Sequence, residues 1–373
     1  MPPAGKPRSP MRRERLPLLA PAAIALASAL WGGLARLGWT LPATHPGAAM
    51  LHGPLMISGF LGTLITLERA TALGLVWPYA APVATGLGAL AMASGLGLSV
   101  GRWATLVGST AGLALFAWLL ARNPALFLVT MTLGLGAWTI GNALWLAGWP
   151  IYRVVPWWAA FVILVIAGER LELTRIFPPP PGARVRFLGA LAALGAGVVA
   201  TVAAPGTGMR VTGAGMIALA AWLARHDVAR RTIREGGLPR YMAACLLSGY
   251  AWLAASGLLA LRAGLVVAGP AYDAVLHALF LGFVMAMIFG HAPVILPGVL
   301  GLPLAWRPAF YVPLVALHAT LLLRIVADLA LLPTLRQWAG LLNAVVVLAF
   351  LAGTALTAVQ AGSGVGVRPA RRT

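Results

Sequence analysis

The chain is 373 residues long, 60% hydrophobic and only 9% charged, with a mean hydropathy of +0.89. A soluble domain carries roughly 25% charged residues, so a water-exposed fold is excluded and the chain reads as an all-α, polytopic membrane protein. The net charge of +19 does not imply a nucleic-acid partner. The basic residues stand in short segments between apolar stretches, as the positive-inside rule expects.

The first basic cluster, Lys6, Arg8, Arg12, Arg13 and Arg15, is read as a cytoplasmic tail (1–16) before a retained first helix, not as part of a cleaved signal. A span needs about 20 apolar residues. About twelve follow in one bundle, at 17–38, 47–68, 75–98, 103–121, 124–148, 155–175, 187–204, 209–224, 240–262, 271–292, 308–331 and 337–360. A short tail, 361–373, ends the single transmembrane domain. Placing both termini inside puts 20 of the 27 basic residues on the cytoplasmic side and leaves Arg324 within a span. Two inner loops stand out, the proline run 177–182 and the basic segment 226–240. Either is a plain connector or a contact for anionic lipid headgroups. The second span ends in Glu68-Arg69 and the sixth in Glu169-Arg170. This echo fits an internal repeat or simply arginines at inner helix ends.

Four of the six histidines, His52, His277, His291 and His318, fall in the spans. An ionisable residue inside a membrane is costly and marks a functional site, and imidazole is the commonest metal and haem ligand. For each one the alternative is a packing histidine bonded to a backbone carbonyl. His52 begins the second span and His277 lies near the start of the tenth. Both spans run from outside to inside, so rise per residue puts both histidines within roughly 10 Å of the outer surface. Axial ligands of one haem need such a common level, so this pair is the candidate axial set. His291 shares a helix face with His277 but lies about 21 Å away along the axis, so the two cannot share an ion unless the helix breaks at Gly290–Pro293. His318 is expected deeper, as a second-metal ligand or as a residue lining a ligand pocket. Asp273, four residues before His277, is placed to orient its ring. Arg324 is expected to meet a haem propionate, with Asp328 four residues on holding it. The single cysteine, Cys245, lies within a span and excludes an internal disulfide or a cysteine-based metal site.

The His52-x-x-x-Met56-x-x-x-Phe60 pattern and the segment Leu276-His277-Ala278 through Gly282 to Gly290-His291, in a twelve-span plan, resemble the NnrS-type haem- and copper-containing membrane proteins of bacterial nitric-oxide metabolism. The chain departs from that family after His291, where it runs Ala292-Pro-Val-Ile-Leu-Pro-Gly298. The resemblance implies a bacterial inner-membrane protein that carries haem and copper and meets a small diatomic ligand such as nitric oxide. Copper and nitric oxide enter through the resemblance alone. The rival expectation is a secondary transporter with a buried Arg324–Asp328 pair and its substrate bound near the midplane.

Overall fold

The computed structural model describes residues 16–362 except 43, 44, 46, 176, 179 and 301–305. The expected tails, with Lys6 to Arg15 and Arg368 to Arg372, lie outside the described residues, as does part of the proline run. Among the described residues there are helices and no strands. They are Leu16–Arg36 (α1), Ala48–Leu73 (α2), Ala80–Ser94 (α3), Leu98–Arg122 (α4), Leu126–Leu146 (α5), Ile151–Leu173 (α6), Ala183–Ala200 (α7) and Pro205–His226 (α8). A single turn, Ala229–Thr232, precedes Gly237–Ala263 (α9), Pro270–Ile295 (α10, continuing to Leu300), Tyr311–Leu329 (α11) and Pro333–Gly362 (α12).

Ten of these helices are long and apolar enough to cross a membrane. The chain is therefore a multi-pass, all-α membrane protein. The expected third and eighth spans correspond to the other two. Helix α3 has only 15 residues, about 22 Å of rise. Helix α8 carries Arg210 and Arg225 and is held by glycines. A Cβ at Gly213 would meet the α9 backbone, and one at Gly197 or Gly215 the α7–α8 seam. Small residues at such seams let helices approach closely where no water drives them together.

Helix α6 is the central post, buried inside the protein along most of its length. Several polar groups in the core are paired with one another, as a low-dielectric interior favours. Trp158 and Ser58 both donate to the Asn142 amide oxygen, at 3.0 and 3.1 Å, and Trp138 donates to Ser58 at 3.0 Å.

Two helices depart from α geometry. α2 widens into π-helical turns over Leu55–Gly62, and α10 does so over Ala278–Met285. Such turns are rare and often sit at functional sites. Each begins within three residues of a candidate histidine, a feature that hydropathy does not reveal.

Candidate functional site

Two glycines in the left-handed region start the two histidine helices. Gly47 (φ 83°) leads through a 3₁₀ turn to His52, and Gly269 (φ 91°) leads through Pro270 into α10. Proline in the first turn lacks the N–H that would be unsatisfied there. His52 and His277 thus lie near the same ends of two helices, and the structure brings them together. Their ring centroids are 6.1 Å apart and the planes differ by 19°.

Each ring is pinned through one nitrogen. His52 Nδ1 donates to the Ala29 carbonyl at 2.7 Å. His277 Nδ1 donates to the Asp273 carbonyl at 3.0 Å and lies 3.3 Å from the Asp273 carboxylate. A carbonyl can only accept, so each Nδ1 carries a hydrogen, and Nε2 is the ring nitrogen left over for a ligand. Neither Nε2 has a hydrogen-bond partner among the described residues. Helix α1 makes room for the first ring, because a Cβ at Gly33 would sit 2.8 Å from His52 Nδ1.

Behind His277 stands a charged cluster. Arg324 forks onto Asp273, with Nε to Oδ2 at 2.7 Å and Nη2 to Oδ1 at 3.0 Å. Arg336 reaches Asp273 at 3.4 Å and Asp328 at 2.7 Å. The second approach is a close charge contact without hydrogen-bond alignment, since Arg336 Nε and both Asp328 oxygens lack a bonded partner. The expected Arg324–Asp328 pair is therefore corrected. Four-residue spacing puts both side chains on one face of α11, but the facing carboxylate of α10 captures the arginine and α12 supplies the partner of Asp328.

His291 belongs to a different site. Its Nδ1 donates to the Met287 carbonyl at 2.7 Å, and Arg170 Nη1 donates to its Nε2 at 2.9 Å. Arg170 also donates to Asp227 at 2.9 Å, as does the Tyr250 hydroxyl at 2.8 Å, while the backbone N–H of Ala229 caps the other Asp227 oxygen at 2.7 Å. The lone pair of His291 is taken, so as arranged it is no ligand. At the same end of the bundle the two Glu-Arg pairs meet, with Arg69 3.8 Å from Glu169.

His318 is likewise engaged. Trp252 donates to its Nδ1 at 3.0 Å, and its Nε2 lies 2.8 Å from Ser248 Oγ, which itself donates to the Ala244 carbonyl. It ties α11 to α9 and does not line the cavity at His52 and His277, so the structure does not support the expected deeper ligand. Among the described residues no group of three or more His, Cys, Asp or Glu side chains is arranged to hold a metal ion. The four histidines therefore form one facing pair and two separate, bonded residues.

The facing pair lines a cavity of about 310 Å³, within the roughly 300–1,000 Å³ usual for small-molecule sites. Its inner wall is apolar, with Met56, Phe60, Leu281, Val284 and Met285 along the two π-helical stretches. Its other end is polar, with Arg36, Arg336, Tyr272 and Asp273. Sequence reasoning missed Arg36, Arg336, Asp227 and Tyr250. The scarcity of acids was the available signal: with eight in the whole chain, each one near an apolar span calls for a cationic partner.

A family model described as a domain of unknown function, DUF8744, matches residues 15–359. No curated protein and no solved structure matches the chain.

Proposed function

The chain belongs to the DUF8744 family, whose chemistry is open, and from its geometry we propose that it is a haem-binding membrane protein with His52 and His277 as the axial pair. One observation carries the reading. Of the four histidines expected in the spans, only two keep a ring nitrogen without a partner among the described residues, and those two lie together in a cavity. The spacing fits. A metal–imidazole bond is about 2.0–2.1 Å long, so ring centroids 6.1 Å apart would leave room for one metal ion between His52 and His277. The surroundings fit as well, because metal-binding histidines almost always donate their other N–H to a carbonyl or carboxylate.

Haem held by two imidazoles supplies one-electron redox chemistry. The protein's part is to fix both tautomers, to raise the basicity of His277 through Asp273, and to enclose the ligand in apolar walls. Met56 and Met285 line the same cavity and are soft ligands suited to copper(I). Copper and a diatomic ligand such as nitric oxide remain proposals drawn from the sequence resemblance. So does residence in a bacterial inner membrane. With both termini in the cytoplasm, as the charge bias favours, the site lies toward the outer face. A buried Arg–Asp pair would also suit a transporter, but here Arg324 and Asp273 are built into the back of His277, which favours the haem reading.

Substituting either histidine tests the proposal. Purified His52→Ala and His277→Ala proteins, loaded with haem, are expected to lose the six-coordinate low-spin Soret spectrum of the wild type. His318→Gln is expected to keep it. Retention of the wild-type spectrum in both alanine variants would exclude the pair.

A further inference from the structure

The cavity is amphipathic in a directed way. Further along α2 and α10 from the histidines its wall is Phe60, Leu61, Val284 and Met285. Its rim is formed by Arg36, Tyr272 and Arg336. Charge is unbalanced at that rim. Asp273 faces Arg324 and Arg336, Asp328 faces Arg336, and Arg36 stands at the same rim. The three arginines are not equivalent. Arg324 has two of its three nitrogens on Asp273. Arg336 is divided between Asp328 and Asp273. Arg36, the last residue of α1, is exposed at the rim and forms no ion pair among the described residues.

Resting on the haem reading, we propose that Arg36 is the carboxylate anchor of this site: it grips the propionates of the macrocycle at the rim, with Arg336 beside it, and so fixes which edge of the ring points out of the bundle. Arg324, the sequence-based candidate for that role, is instead a positioning residue that holds Asp273 against His277. The logic is complementarity. A flat ligand with an apolar body and two carboxylates on one edge matches an apolar wall with a cationic rim. An arginine presents a planar fork suited to carboxylates.

The test is a titration of haem-free full-length protein in nanodiscs with iron protoporphyrin IX and, separately, with its dimethyl ester, followed at the Soret band. Wild type is expected to bind the free acid about tenfold more tightly than the ester, the size of one charge-assisted contact. Arg36→Gln is expected to lose that preference by weakening the acid and not the ester, and Arg36→Lys to restore part of it. Equal affinity of wild type for acid and ester would overturn the anchor. So would an equal loss of both in Arg36→Gln. The His52→Ala protein separates the two claims. If it loses the low-spin spectrum with both porphyrins while the acid preference is absent from wild type, the axial pair stands and the anchor falls. If His52→Ala and His277→Ala bind both porphyrins as wild type does, the axial reading fails and the anchor with it.

Discussion

Alanine at Asp227 is expected to destabilise the protein by about 3–5 kcal/mol, the usual loss when one partner of a buried ion pair is removed. The carboxylate is only 3% exposed and accepts from Arg170, Tyr250 and the backbone of Ala229 at once. Without it a guanidinium that is 4% exposed loses its counter-charge, and the hydrogen bond to His291 cannot compensate for that. The four groups sit on α6, on the α8–α9 connection, on α9 and on α10, so their loss loosens the packing of three helices around one end of the bundle. Thermal unfolding in detergent should show the shift. An Arg170→Met/Asp227→Ala double variant should recover part of the loss, because no unpaired charge remains. A double variant as unstable as the sum of the two singles would mean that the two side chains do not interact.

Asp273→Ala is expected to produce the second large effect, and in two observables. Arg324 loses both of its bonds and Arg336 one of its two carboxylates, so a stability loss of about 3–5 kcal/mol is again expected. The carboxylate 3.3 Å from His277 Nδ1 also disappears, while the carbonyl bond that sets the tautomer remains. Loaded Asp273→Ala protein should therefore stay six-coordinate but show a raised reduction potential, since a less basic imidazole stabilises the oxidised metal less. Unchanged potential in a stably folded variant would remove Asp273 from the electronics of the site and leave it a purely structural role.

The helical architecture was legible in the sequence because long apolar runs leave no other backbone solution in lipid. The alignment of His52 with His277 was legible for a similar reason, since equal distances from the starts of two like-directed helices mean equal depth. What separated the pair from the other histidines was not legible. Arg170 and His291 are 121 positions apart, and Trp252 and His318 are 66 apart. No local pattern announces that those lone pairs are occupied. Arg324 misled for a related reason. Four-residue spacing within α11 suggested Asp328, whereas helix packing supplied Asp273 from α10. The π-helical stretches were hidden too, because they change the hydrogen-bond register of α2 and α10 without changing how apolar they are.

The central claim, two imidazoles on one iron, is tested most directly by low-temperature EPR with near-infrared magnetic circular dichroism on the wild-type protein loaded with ferric haem. The account predicts a single low-spin species with the charge-transfer band of bis-imidazole ligation. A histidine–methionine band, which would put Met56 or Met285 in place of one histidine, or a high-spin signal, would contradict it.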